Sequence, residues 1–247
     1  MKHHLAQLAA AVVLSLLTTL AAGQDDTPKA SPQDAPEVEP ALLKQLKELD
    51  ERLAKIKDMQ ARFTQTKHVS LLKKPLVSQG DVLIKGQQMR WDVTKPSPST
   101  TLTSAKEIRI HYPQQKIVEV YFIDERLASV VASPLPRLDV LLGSFKVERA
   151  AGPKDGDKEK EADRLHLSLT PRSEELKKHI TRVNVTIDTT RALAQRIEMI
   201  DIDGDRTEIT FDAIQLNVGL KDDRFELKLP EGTRVVRPLE AVEPRNP

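Results

Sequence analysis

Asp201-Ile202-Asp203-Gly204-Asp205 places three carboxylates on alternate positions beside a glycine, which is how a calcium loop begins. Such a loop needs further oxygens and a bidentate Glu several residues on. Here Arg206 and the alternating segment Thr207 to Phe211 follow at once, so a hairpin turn with Asp-Gly at its bend fits better. The six histidines (His3, His4, His68, His111, His166 and His179) show no HxH, HxxxH or HExxH spacing. His111 and His166 alternate with apolar residues, which predicts the outer, wetted face of strands. With no cysteine there is no disulfide scaffold, thiolate metal site or cysteine nucleophile. The nine glycines are too scattered to cradle a phosphate, and no serine sits in a nucleophile elbow. No pair of carboxylates stands in an apolar context that would divide acid from base duty. The expectation is a protein that is not an enzyme and takes no metal and no cofactor.

Charge removes another class. Lys and Arg number 38 against 37 Asp and Glu, a formal charge of +1 that provides no field for nucleic acid. Met1-Lys2-His3-His4, an apolar run from Leu5 to Leu20, and the small residues Ala21-Ala22-Gly23 follow the order of a secretory signal peptide cleaved near Gly23. Removing residues 1–23 takes away Lys2 and no acid, leaving a formal charge of zero. Residues 24–40 carry Pro28, Pro32, Pro36 and Pro40 among polar residues and read as an extended linker. Residues 237–247 read as a disordered tail, so the folded body spans 41–236.

Within that body, Pro40 suits a first helical turn, and Leu42, Leu46, Leu49, Leu53 and Ile56 recur at spacings of four and three. They predict an amphipathic helix whose apolar stripe continues through Met59 and Phe63. Beyond Thr64 the period becomes two. Val82 and Ile84; Met89, Trp91 and Val93; Ile108, Ile110 and Tyr112; and Val118, Val120 and Phe122 alternate with polar neighbours. Leu165 to Leu169, Val183 to Ile187, Ile209 to Phe211 and Phe225 to Leu229 do the same. Turn residues fall between them at Lys85-Gly86-Gln87, Tyr112 to Gln115, Asp188 to Arg191 and Asp203-Gly204-Asp205. About nine to eleven antiparallel strands in a meander must split into a sandwich or curl into a barrel. Ser133 to Gly143 predicts a second, short helix capped by Ser133 and stopped by Gly143, and residues 150–164 a solvated charged loop. A curled sheet with an apolar concave face and two helices to lay over it could hold an apolar ligand. The same residues could equally be plain core. With one Trp, two Tyr and five Phe, any such cavity would be lined mainly by aliphatic groups.

Several segments in order resemble one family. Ala61-Arg62-Phe63-Thr64-Gln65-Thr66 is similar to an F-x-Q junction between helix and strand, and Gly80 to Lys85 to a G-x-φ-x-φ strand, where φ is apolar. Met89-Arg90-Trp91 resembles the φ-R/N-W that follows, and Thr103 to Pro113 the S-D-G-x-x-φ-x-x-Y-x-P hairpin, with Ala105-Lys106 where Asp-Gly is usual. Leu169-Thr170-Pro171, Asp203-Gly204 with Thr207 to Phe211, Asn217, and Phe225 to Thr233 complete the series. Together they resemble the periplasmic outer-membrane lipoprotein carrier proteins, the LolA family.

The resemblance implies a mainly β protein with α: an incomplete, strongly curved antiparallel β-barrel covered by a helical lid. It implies a monomeric periplasmic chaperone that takes lipoproteins directed to the outer membrane from an inner-membrane ABC-type exporter and delivers them to an outer-membrane acceptor lipoprotein. The absent cysteine separates this chain from that lipid-anchored acceptor. A carrier of another lipid or hydrophobic small molecule, and an envelope regulatory module of the same fold, stay open. On this basis Met89, Trp91, Ile110, Tyr112, Val120, Phe122, Phe211 and Phe225 are candidates to line the acyl cavity. Leu46, Leu49, Leu53, Ile56, Leu138 and Leu141 are candidates for the lid. The family commonly has Arg-Pro after the G-x-φ-x-φ strand, with the Arg holding the lid. Lys85-Gly86-Gln87 stands there instead, leaving Lys85 and the nearby Arg90 as candidates for gating.

Overall fold

A computed structural model describes residues 38–123, 138–152 and 162–238. The signal peptide, nearly all of the proline-rich linker, the Ser133–Arg137 part of the second helix, the centre of the charged loop and the tail from 239 lie outside the described residues.

Helix α1 (Pro40–Leu53) begins with Pro40 in its first turn and buries Leu42, Leu46 and Leu49 along one stripe. It stops short of the helix read from the sequence. Met59 and Phe63 instead belong to strand β1 (Asp58–His68), where Met59, Ala61, Phe63 and Gln65 alternate inward. A spacing of four satisfies both periods, since it is near one helical turn and also an even number of strand residues. The change of element is fixed from outside. Lys57 N–H donates to Asn217 Oδ1 at 2.7 Å, and the buried Asp58 carboxylate accepts the backbone N–H groups of Val218 (2.7 Å), Gly219 (3.0 Å) and Leu220 (3.2 Å).

From β1 the chain continues as β2 (Leu76–Lys85), β3 (Gln88–Lys95), β4 (Ser99–Thr103), β5 (Glu107–Tyr112) and β6 (Ile117–Phe122). Helix α2 (Leu138–Ser144) runs one residue past Gly143 and leads directly into β7 (Phe145–Arg149). Then come β8 (Arg164–Pro171), a single turn α3 (Glu174–Lys177), β9 (Ile180–Asp188), β10 (Leu193–Asp201), β11 (Arg206–Leu216) and a short β12 (Arg234–Val236). All twelve join one sheet in the order β12-β6-β5-β4-β3-β2-β1-β11-β10-β9-β8-β7. Every pairing is antiparallel except β12 with β6, which is parallel. Among the described residues β7 and β12 form the two edges, so the sheet is curled but open. Turns connect the strands at Gly86 (φ 57°), at 113–116, at 189–192 and at Gly204 (φ 81°). These are the places where the sequence carries its turn residues.

One expected strand is absent. Phe225 ends a 3-10 turn (Asp222–Phe225), and Leu227 and Leu229 follow without regular secondary structure. The stretch from Asn217 to Thr233 is a strap that leaves β11, crosses beside Leu83 and Arg90, and returns to the sheet when Arg234 N–H donates to Lys116 O (2.9 Å). Phe225 and Leu220 pack on Leu83, which gives this strap a small apolar core of its own.

Candidate functional site

Directly opposed residues of paired strands share a face, so the register sorts side chains onto the inner or the outer surface. One inner row runs Ala61, Val82, Trp91, Thr101, Ile110 and Glu119 across β1 to β6, and the next runs Met59, Ile84, Met89, Thr103, Ile108 and Tyr121. Of the cavity candidates, Met89, Trp91, Ile110, Tyr112 and Phe211 lie on this inner face. Val120, Phe122 and Phe225 do not. Val120 opposes Arg109 and Phe122 opposes Glu107 on the outer face, where Phe122 is exposed, and Phe225 packs in the strap. The alternation on β6 misleads because both of its faces carry apolar residues; the more apolar set, Val118-Val120-Phe122, faces outward, with Val118 and Val120 buried. His111 shares that outer face but is buried, not wetted; burial lowers its pKa from the ordinary imidazole value.

The middle of the inner face is an aromatic cluster. The Phe63 ring stacks on Trp91 with centroids 3.9 Å apart, and Phe211 meets Trp91 edge-on at 6.1 Å. Gly80 makes room for it: a Cβ there would lie 1.8 Å from Asp92 O and 2.9 Å from the Phe63 ring. Met59, Ala61, Val82, Met89, Val93, Leu193 and Ile214 complete this cluster, and Leu53 and Ile56 pack against it from the end of α1. Toward the other edge, Leu46, Leu49 and Leu141 join Phe145, Val147, Leu165, Leu167, Val185 and Ile187, with Leu53 and Leu138 packed alongside. The six lid candidates thus all lie between the helical layer and the inner face, and Leu53 touches both clusters.

The gating candidates are elsewhere. Lys85 Nζ donates to Leu220 O (2.8 Å) and Asp222 Oδ1 (2.6 Å). Arg90 Nη1 donates to Arg224 O (3.1 Å) and Glu226 O (3.0 Å), while its Nε donates to Asp92 at 2.6 Å. Both therefore fasten the strap on the outer face, because each stands an odd number of residues from the inward Ile84 and Trp91.

What ties the helices down is a set of residues that no sequence pattern singles out. Arg52, at the end of α1, donates through Nη1 to Thr189 O (2.5 Å) and through Nη2 to Thr190 O, gripping the β9–β10 turn. Asp188 shapes that turn by accepting Thr190 N–H (2.9 Å), Thr190 Oγ1–H (2.6 Å) and Arg191 N–H (3.0 Å). Burial pushes its pKa up, but these bonds outweigh burial and hold the carboxyl below its usual range. Asp50 accepts Leu138 N–H at 3.0 Å, joining α1 to the start of α2.

Polar groups also enter the inner face. Glu119 accepts a hydrogen bond from Tyr121 OH at 2.9 Å and a longer one from Tyr112 OH at 3.4 Å. Burial, then Glu119, raise both phenols well above their ordinary pKa, so they remain donors. Asp201, by contrast, turns its carboxylate onto its own hairpin, accepting Asp203 N–H (3.0 Å) and Asp205 N–H (2.9 Å). Among the described residues, no three His, Asp or Glu side chains gather to hold a metal, and no helix is long and apolar enough to cross a membrane.

The described residues thus form one open, curled, almost wholly antiparallel sheet with α1 and α2 laid across its apolar inner face. The family model described as "Outer membrane lipoprotein carrier protein LolA" matches residues 54–228, and the chain belongs to that family. An outer-membrane lipoprotein carrier protein of Chromohalobacter salexigens is 26% identical over 151 residues, covering 61% of this chain and 66% of that protein, just under two thirds of its length. The carrier protein of the same name from Dechloromonas aromatica is 26% identical over 190 residues, covering 76% and 86%. Among solved structures, an uncharacterized conserved protein from Thermus thermophilus shares the fold at 12% identity, with a TM-score of 0.50 over 80% of this chain and 99% of that one.

Proposed function

We propose that this protein is a periplasmic chaperone that carries lipoproteins toward the outer membrane, their acyl chains held against the inner face around Phe63, Trp91 and Phe211. The observation that carries this reading is the pair of apolar clusters lying face to face with α1 and α2, bridged by Leu53. Burying aliphatic chain contributes about 0.8 kcal/mol per CH₂, so a lipoprotein's tails need a dry, extended surface once they leave a bilayer. Uptake requires the helices to lift. Their polar ties, Arg52 to two turn carbonyls and Asp50 to Leu138 N–H, are exposed or only partly buried hydrogen bonds worth about 0.5–1.5 kcal/mol each. Opening is then a population shift, and release is competition by a better pocket, with no bond made or broken.

In this reading residues 1–23 direct export, an inner-membrane ABC-type exporter loads the carrier, and an outer-membrane acceptor lipoprotein unloads it. Native mass spectrometry of protein purified from its own envelope tests the proposal. Bound lipoprotein or acylated peptide is expected. A protein that is empty, and that fails to release lipoproteins from inner-membrane vesicles, overturns it; a bound lipid of another class would redirect it to that cargo.

A further inference from the structure

At the β4–β6 end, polar groups interrupt the aliphatic inner face. Thr103 is 3% exposed, stands in the inner row between Met89 and Ile108, and its Oγ1 has no hydrogen-bond partner among the described residues. An unpartnered buried hydroxyl costs stability that a methyl group of the same shape would not. Two strands away, about 10 Å across the sheet, Glu119 presents its carboxylate on the same face between the two phenols. The wholly buried Ile108 and Ile110 separate these polar groups. A guest that only filled space would need neither.

We infer that the inner face of β4–β6 is a headgroup site for the amide- and ester-bearing head of an acylated amino terminus. The Thr103 hydroxyl donates to a carbonyl of the head, and Glu119 accepts an N–H from it, while the acyl chains run toward Trp91. The Tyr112 and Tyr121 hydroxyls, already donating to Glu119, orient the carboxylate. The same carboxylate repels an anionic head, so a free fatty acid or an acidic phospholipid, though equally apolar in its chains, is disfavoured. This inference rests on the acyl-carriage reading above and adds what the cavity selects.

The test uses the full chain without its signal peptide, a synthetic peptide bearing an N-acylated, S-diacylglyceryl cysteine, and palmitate. Thr103→Val should raise the melting temperature by a few degrees, since it removes an unsatisfied hydroxyl at constant shape. It should also weaken lipopeptide binding about fivefold, the loss of one hydrogen bond, and leave palmitate binding unchanged. Glu119→Gln keeps an acceptor for the phenols and should narrow the lipopeptide-to-palmitate preference, chiefly by tightening palmitate. A Thr103→Val protein that is more stable but binds the lipopeptide as tightly as the unmodified one overturns the headgroup site, as does an unchanged preference in Glu119→Gln. If the unmodified protein binds neither ligand, the acyl-carriage reading falls with it.

Discussion

The strap and the helical layer each cover apolar residues of the same sheet, but different chemistry holds them. The strap starts from a buried carboxylate that accepts three consecutive backbone N–H groups, and it is then fastened by Lys85 and by the Arg90 guanidinium, each reaching strap carbonyls. The helices rest on one leucine-rich cluster, one aromatic cluster and a few hydrogen bonds at exposed or partly buried residues. Breaking a buried polar anchor leaves orphaned groups that water does not reach, whereas breaking an exposed one exchanges it for water. In the proposed carrier the inner cover is the layer that lifts, while the strap keeps its anchor at the buried Asp58.

Substitutions on either side of the sheet test that contrast. Trp91→Ala removes the centre of the aromatic cluster and should cost about 3–5 kcal/mol in chemical denaturation, with loss of acyl binding. Asp58→Ala should come next, at about 3 kcal/mol, because three amide donors lose one buried acceptor. Its affinity for acyl ligand, measured where it is folded, should stay within about twofold, since Asp58 serves the outer cover. A loss of cargo binding there would show that the two covers are not independent. Arg52→Ala should lower stability by only about 1 kcal/mol yet speed ligand release severalfold in stopped-flow displacement. Equal release rates would mean that Arg52 is no latch.

Acidification should give the smallest effect. Burial holds the folded-state pKa of His111 below its usual value. As pH falls through the ordinary imidazole range, the unfolded chain takes up the proton first and stability declines. That part of the pH dependence should vanish in His111→Leu.

The strand meander and its turns are legible in the sequence because alternation and turn residues are local signals. So is the stripe of α1. The boundary after Leu53 is not, since Met59 and Phe63 suit either period and the decision is made by Asp58 and Asn217, far apart in sequence. The inner and outer faces of β6 come out the wrong way round from sequence because the strand is apolar on both sides, and only the pairing of Tyr112 with Ile117 decides between them. Lys85 and Arg90 do stand out in the sequence as cations with a fastening role, but the expectation that they gate the lid puts them on the wrong side of the sheet. Their parity relative to Ile84 and Trp91 is present in the sequence and points to the outer face. Arg52 resembles any other charged residue on a helix, and its role depends on carbonyls that lie 137 and 138 residues away.

The chain's one tryptophan gives a direct probe of where cargo lies. Trp91 stands on the inner face against Phe63 and Phe211. Titrating the protein with a lipopeptide whose acyl chains are brominated, beside its unbrominated twin, reads contact between those chains and the indole. Strong, saturable quenching by the brominated ligand alone is expected for acyl chains on the inner face. Equal binding of both ligands with no difference in fluorescence would place the cargo elsewhere and contradict the assignment of this face as the acyl site.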